Sequence, residues 1–370
     1  MKNQLVHIPE LHNNDYGFFD VVAGLCKTNI NKEFSFTDIS SVWNKPKKSD
    51  ITAIDLFCGC GGISKGLELA GINVLAGLDF FKEAGETYKH NFDHKFVYGD
   101  ITKSETKEEL YATIKQELKG RKLNIVAGGF PCQGFSMSGK RDMNDPRNKL
   151  YLEVLDIVKT LNPEFIFLEN VKGLLSMDGG KVKKRILEDF QNIGYDIQAH
   201  LLNSAEFNTP QKRERVVFIG NRIGKKILYP QSIVKNGKYK TTKDAIEDLI
   251  HKEENIAFNH IKTKHTKEMQ KRLLEVQEGK GLYANYSDSW KKCPWNEPSC
   301  TIKENHGGVN IHPKLPRVLT VRECARIQSF PDDFIFQGTK SKQLVQIGNA
   351  VPPNLSKAVG LAILKSYDKI

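Results

Sequence analysis

No apolar stretch in this chain reaches the ~18 residues that a membrane-spanning helix needs. Residues 1–10 carry no signal-peptide core either. Together these absences predict a soluble, cytosolic protein without a membrane partner. Cysteine is sparse and scattered, with seven residues at 26, 58, 60, 132, 293, 300 and 324, no Cys-x-x-Cys pair and no histidine cluster at metal spacing. An odd, dispersed set argues against both a disulfide framework and a zinc site, so reduced thiols and no metal are expected. There is no internal repeat, no low-complexity tract and no Walker-type phosphate loop.

What the chain does have is length and positive charge. Its 370 residues, 39% of them hydrophobic, can bury one large domain carrying a smaller one. The formal net charge is +11, and residues 221–320 hold 19 Lys and Arg against 11 Asp and Glu. Most of the excess therefore lies in one segment, which points to a polyanionic partner met by that segment.

From residue 51 onward, apolar strands and helical periodicity alternate, with strands expected at 51–57, 73–78, 95–98, 123–127, 165–168, 196–202 and 216–220. That alternation predicts an α/β fold with a parallel sheet covered on both faces, and ligands beyond the carboxyl ends of its strands. Residues 1–50 read as a packing arm rather than a helix-turn-helix regulator, with short helices expected at 18–25 and 36–43.

The unusual residues fall at those strand ends. The chain is organised around Ala127-Gly128-Gly129-Phe130-Pro131-Cys132-Gln133-Gly134-Phe135-Ser136, where a strand runs through two glycines and displays a thiol on a tight turn. The first strand ends in Asp55-Leu56-Phe57-Cys58-Gly59-Cys60-Gly61-Gly62, a loop whose glycines let backbone approach a ligand at a helix start. Asp79, 20 residues past Gly59, stands where an acidic side chain would bind a ribose, with Phe80 beside it for an adenine face. In isolation Asp79 also reads as a helix cap and Phe80 as core. Without a phosphate-binding Lys, a nucleoside lacking phosphates suits this pocket, and Asp100 could face a cation such as an amine or a sulfonium, though on its own it reads equally well as a cap. Glu169 ends a later strand, and Gln211-Lys212-Arg213-Glu214-Arg215 leads into the last one.

In this order these stretches resemble the DNA cytosine carbon-5 methyltransferase family of bacterial restriction–modification systems. The matches continue with Gly99-Asp100-Ile101, Glu169-Asn170-Val171, Leu319-Thr320-Val321-Arg322-Glu323-Cys324-Ala325-Arg326 and Gln346-Ile347-Gly348-Asn349-Ala350-Val351-Pro352-Pro353, from about residue 51 to the end. The resemblance implies a Rossmann-like S-adenosylmethionine-dependent methyltransferase sheet with a smaller target-recognition domain. It implies S-adenosyl-L-methionine as cofactor, held by Asp55, Phe57, Gly59, Gly61, Gly62, Asp79, Phe80, Asp100, Ile101 and Asn349. Many family members carry Glu and Trp where Asp79 and Phe80 stand. The final helix, expected at 355–367, would return to pack beside the first glycine loop.

By the same resemblance Cys132 is the nucleophile. A thiolate adding to carbon 6 of cytosine breaks the ring's aromaticity and makes carbon 5 nucleophilic. Glu169 would serve N3, Arg215 would donate to O2, and Arg213 would brace the thiol loop or a phosphate. Double-stranded DNA is the implied partner, with the target base flipped out and Gln133, Ser136, Ser138, Lys140 and Arg141 in a loop closing over it. Thr301-Ile302 resembles the Thr-aliphatic pair of family recognition domains.

The implied division is an N-terminal extension at 1–50, a catalytic and cofactor-binding domain at 51–222 completed by 341–370, and a recognition domain with hinge at 223–340. A bacterial cytoplasmic, nucleoid-associated setting, a monomer on DNA and a cognate restriction endonuclease are implied as well. Two other readings are a transfer-RNA cytosine methyltransferase, disfavoured by the basic segment before Arg317, and a catalytically dead DNA-binding regulator, disfavoured by intact Cys132, Glu169, Arg213 and Arg215. A nicotinamide oxidoreductase would need a Gly-x-Gly-x-x-Gly fingerprint, which Gly59-Cys60-Gly61-Gly62 is not.

Overall fold

The structure is a computed structural model that describes residues 34–131, 150–283, 290–303 and 309–369. The chain divides into two units, Met1–Phe34 and Ser35–Ile370, and the elements below all belong to the second. The expected helix at 18–25 lies outside the described residues.

Seven strands form the central sheet: β2 (Thr52–Leu56), β3 (Asn73–Asp79), β4 (Lys95–Tyr98), β5 (Ile125–Gly128), β6 (Phe165–Val171), β7 (Asp196–Asn203) and β8 (Glu214–Asn221). Their order is β4-β3-β2-β5-β6-β8-β7. The chain leaves β2 toward β3 and β4, then returns to build outward from β5. The reversal opens a crevice between the carboxyl ends of β2 and β5, where α/β sheets bind ligands.

Every residue of β2 is buried because both faces of the sheet are covered. Ile54 and Leu56 join Leu78, Val126, Ile166 and Leu168 on one face, under the helices Ser104–Leu118 (α3), Leu150–Leu161 (α4) and Lys181–Asn192 (α5). Ala53, Val74, Ile125, Phe165, Phe167 and Val217 pack on the other face with α1 (Gly62–Leu69) and α10 (Pro353–Ser366). The helix Lys82–Asn91 (α2) follows β3. Successive residues alternate between the two cores, as the period of two requires.

The sheet is not wholly parallel as the strand–helix alternation predicts. β8 runs antiparallel to both β6 and β7. Only residues 204–213 separate β7 from β8, too few for the helical crossover that a parallel neighbour needs. This reversal brings the start of β8, not its end, to the ligand-binding rim: Val171 at the end of β6 pairs with Arg215.

Residues 36–43 do not form the expected helix. Ser35–Thr37 is a short strand, β1, paired in parallel with β9 (Leu228–Pro230), and Ile39 and Trp43 enter the core under α10. After β9 come the helices Thr242–Ile246 (α6) and Lys267–Glu275 (α7). The Thr320–Glu323 capping box opens Val321–Ile327 (α8) as expected. Lys340–Asn349 (α9) is a further helix, N-capped by Thr339, and α10 starts with a proline where its missing N–H costs nothing. A third core gathers Trp295, Ile302, Leu319, Phe330, Phe334 and Phe336 with Cys58, Cys60 and Phe92.

Candidate active site

The first glycine loop is bent by positive φ at Phe57 (55°), Gly59 (53°) and Gly61 (98°). A Cβ on Gly61 would stand 2.3 Å from the Phe92 ring, and one on Gly62 would stand 2.3 Å from the Val351 carbonyl oxygen. A Cβ at Gly59 would instead meet nothing within 4 Å. Close packing thus demands two of the glycines, while the third faces open space.

Asp55 and Asp79 shape this loop from beneath. Asp55 Oδ2 accepts from the Ser64 backbone N–H (3.0 Å) and hydroxyl (2.7 Å), and Ser64 Oγ meets Tyr88 Oη at 3.0 Å. Burial pushes the Asp55 carboxyl up to about 7. Asp79 Oδ2 accepts from the Gly59 N–H (2.7 Å) and Oδ1 from the Phe81 N–H (2.8 Å), so it ties the loop to the end of β3. Burial raises its pKa too. Phe80 beside it is 67% exposed, not core. Asp100 is exposed, with Oδ1 accepting from the Thr102 N–H and hydroxyl, while Ile101 is buried. Asn349 is exposed at the end of α9.

These residues fit S-adenosylmethionine. Open space at Gly59 lies one residue from an exposed aromatic face, Phe80, through the Asp79–Gly59 bond, and the exposed Asp100 carboxylate suits a cationic ligand. Asp79 does not cap the helix that follows, whose N-cap is Phe81 without a side-chain cap bond, and its two backbone contacts leave lone pairs for a ribose.

The second half of the site lies across the crevice. β5 and β6 are neighbours, with Gly128 opposite Leu168, and a Cβ on Gly129 would stand 3.3 Å from Glu169 Oε2. Asn170 Nδ2 donates to the Phe130 carbonyl at 2.9 Å, fixing the backbone two residues before Cys132. Cys132, Gln133, Ser136, Ser138, Lys140 and Arg141 lie outside the described residues.

Glu169 is 7% exposed, and its Oε1 stands 2.8 Å from Arg215 Nε. The N–H is not aimed at the oxygen, which has no hydrogen-bond partner among the described residues, so the contact is chiefly coulombic. Burial raises the Glu169 pKa against the pull of Arg215 and Arg213. Burial likewise lowers the Arg215 pKa.

Arg213 points elsewhere. Its Nη1 donates to the Ile302 carbonyl (2.7 Å), and its Nη2 donates to the carbonyls of Gly348 (2.8 Å) and Ala350 (3.1 Å). It joins three distant segments rather than facing the crevice beside Glu169. Gln211 works with it, accepting from the Ile302 N–H at 3.0 Å. The Thr301 hydroxyl donates to the Lys212 carbonyl at 2.8 Å, and Ile302 is 4% exposed. Ile302 therefore has its side chain in the core and its peptide held by buried Gln211 and Arg213.

Sequence reasoning assigned no separate role to Asn170, whose signal was its place beside Glu169. It missed Tyr88 and Gln328, for which no local signal existed. Gln328 donates to the Ala350 carbonyl at 2.6 Å.

The chain matches the family model described as C-5 cytosine-specific DNA methylase over residues 51–365. It is 37% identical over 331 residues to the Type II methyltransferase M1.HphI of Haemophilus parahaemolyticus, covering 85% of this chain and 87% of that protein. It is 35% identical over 364 residues to the Type II methyltransferase M.NgoFVII of Neisseria gonorrhoeae, covering 92% and 93%. A solved structure of a prophage-encoded E. coli protein assigned as a DNA modification methyltransferase superposes with TM-score 0.68 at 25% identity, covering 86% of this chain and 100% of that one.

Proposed function

This chain belongs to the C-5 cytosine-specific DNA methylase family, and from that premise we propose that it methylates a flipped-out cytosine in a short double-stranded sequence through a covalent Cys132 adduct. It is a DNA cytosine-5 methyltransferase that uses S-adenosylmethionine. Its relatives' names place them among Type II methyltransferases, which supports a restriction–modification setting with a cognate endonuclease for this chain as well.

The observation that carries the reading is the buried Glu169–Arg215 pair, 2.8 Å apart, directly beside the backbone that leads into Pro131 and Cys132. Addition of a thiolate at carbon 6 drives negative charge toward N3 and O2. A carboxyl whose pKa is raised by burial can hold a proton against N3, and Arg215 can donate to O2. Arg213 positions rather than touches: it holds the Ile302 peptide to the Gly348–Ala350 turn. Asn170 fixes the Phe130 carbonyl and with it the approach of Cys132.

When bound, S-adenosylmethionine supplies an electrophilic methyl whose sulfonium leaves as a neutral thioether. Asp79, Phe80, Asp100, Ile101 and Asn349, with the loop Phe57-Gly59-Gly61-Gly62 and the buried Asp55 beneath it, hold and orient it. The base must leave the stack for carbon 6 to be reached, at a cost of a few kcal/mol. Gln133, Ser136, Ser138, Lys140 and Arg141 close over the site, and residues 223–340, with Thr301 and the buried Ile302 that holds it in place, select the sequence while 51–222 and 341–370 do the chemistry.

Transfer of labelled methyl from S-adenosylmethionine to duplex DNA and to transfer RNA, followed by bisulfite sequencing, tests the reading. Methylated cytosine at one short repeated sequence supports it. Label on RNA with untouched DNA overturns the DNA reading, and methylation by Cys132→Ala overturns the covalent step.

A further inference from the structure

Cys293 and Cys300 face each other outside the crevice, their sulfurs 4.0 Å apart. They bracket the turn Pro294-Trp295-Asn296-Glu297-Pro298-Ser299. Cys293 is fully buried and Cys300 only partly so, which makes Cys300 the more accessible of the two. Polar donors are aimed at both: Ser299 Oγ donates to Cys293 Sγ at 3.2 Å, and Asn310 Nδ2 to Cys300 Sγ at 2.9 Å. A pair of ordinary core thiols needs neither donor. From this geometry we propose that Cys293 and Cys300 are an oxidant-sensitive dithiol, a modification site that closes to a disulfide and weakens the grip on DNA.

The division of labour follows from the surroundings. The Cys293 contact, with Lys291, Ser299 and Asn310, lowers the Cys300 pKa and favours its thiolate. The contact with Cys300, and burial, raise the Cys293 pKa and keep it a thiol. The Cys300 thiolate attacks a hydroperoxide: an S–O bond forms, the O–O bond breaks, and an alkoxide or hydroxide leaves and takes a proton. Cys293 sulfur then attacks that sulfenic sulfur, so S–S forms, S–O breaks, and hydroxide leaves as water with the Cys293 proton. Two thiols and one hydroperoxide give a disulfide, an alcohol or water, and water.

Closure must draw sulfurs 4.0 Å apart to about 2 Å. The residue before Cys300 is stitched to the 210–212 segment that leads into Arg213. Ser299 N–H donates to the Pro210 carbonyl and Lys212 N–H to the Ser299 carbonyl, at 2.9 and 2.8 Å. Thr301 and Ile302 follow at once, bound to Lys212 and Gln211. Shifting Cys300 therefore pulls on the segment that Arg213 anchors.

The test treats the full chain with hydrogen peroxide, alkylates free thiols and digests with trypsin. Cleavage after Lys292 and Lys303 releases both cysteines in one peptide. The expected peptide is two hydrogens lighter, is unalkylated, and reverts with dithiothreitol. In Cys293→Ser, dimedone should trap a sulfenic acid on Cys300 instead. Two alkylated thiols in the oxidised wild type, or Cys300 joined to another cysteine, overturn the proposal. The second readout, non-covalent binding of duplex DNA, rests on the proposed function, whereas the mass readout does not. Oxidation should weaken binding by roughly tenfold, the scale of one lost anchoring contact, in wild type but not in Cys293→Ser. A disulfide that leaves affinity unchanged refutes the coupling to DNA while leaving the methyltransferase reading standing.

Discussion

Glu169 and Arg215 meet across the β6–β8 pair, Oε1 to Nε 2.8 Å, although 46 positions separate them in the chain. The contact exists because β8 is antiparallel: its first residues, not its last, reach the rim where β5 and β6 end. Both side chains are largely buried, so each depends on the other for its charge.

The first prediction concerns that dependence. Glu169→Gln keeps the shape and can still hydrogen-bond N3, but it cannot pass a proton. Methyl transfer should fall ~10²-fold or more, the usual worth of a placed acid–base group, while DNA binding persists. Single-turnover rates beside binding measurements check this, and a variant within a factor of a few of wild type would remove Glu169 from the chemistry.

Arg213 makes a different case. Its guanidinium spans Ile302 on one side and Gly348 with Ala350 on the other, a fork that one ammonium cannot reproduce. Ala350 keeps the Gln328 donor, so Arg213→Ala strips the Ile302 and Gly348 carbonyls. At about 1–3 kcal/mol for each unmet buried group, the variant should lose about 3 kcal/mol of stability by denaturant titration. Arg213→Lys should recover only part. Full stability with lost turnover would return Arg213 to the reacting base.

How much of this was legible follows from distance along the chain. The glycine loop and the Thr320–Glu323 cap are local patterns, and they stand where the sequence placed them, whereas the turn expected at Cys132 lies outside the described residues. The sheet direction was misread at β8, although the short 204–213 connection carried the information. Arg213's partners at Gly348 and Ala350 lie over a hundred residues away, and no spacing rule reaches them. Ile302 reads as a contact residue because Thr301-Ile302 resembles the Thr-aliphatic pair of family recognition domains. Its burial comes from a core assembled from Trp295, Phe330 and Phe336, which only the fold brings together.

Asp55 gives a pH signature. Burial lifts its folded-state pKa to about 7, whereas the unfolded carboxyl titrates near ~4. Between these values the folded chain holds a proton that the unfolded chain lacks. The group's stabilising contribution is therefore complete below pH ~4 and disappears as pH rises through about 7. Asp55→Asn leaves an acceptor for Ser64 and removes the titration. Its melting temperature should fall less than that of wild type between pH 5 and pH 8, and equal falls would assign the slope to other groups.

The last prediction tests the return of the C-terminal helix. A Cβ on Gly66 would lie 2.3 Å from Ser356 Cβ, 2.4 Å from the Pro353 carbonyl oxygen and 2.7 Å from the Lys357 nitrogen. α1 and α10 thus touch backbone to backbone beneath the glycine loop, and one methyl group has nowhere to go. Gly66→Ala gains helix propensity of about 1 kcal/mol, so the net sign measures the packing directly. Overpacking at this closeness costs about 1–3 kcal/mol and displaces α10 from the loop, so stability should fall and the KM for S-adenosylmethionine should rise. Ser356→Gly in the same chain removes only the side-chain clash and leaves the two backbone ones. Rescue should therefore be partial; complete rescue would mean that the two helices can separate without disturbing the cofactor site.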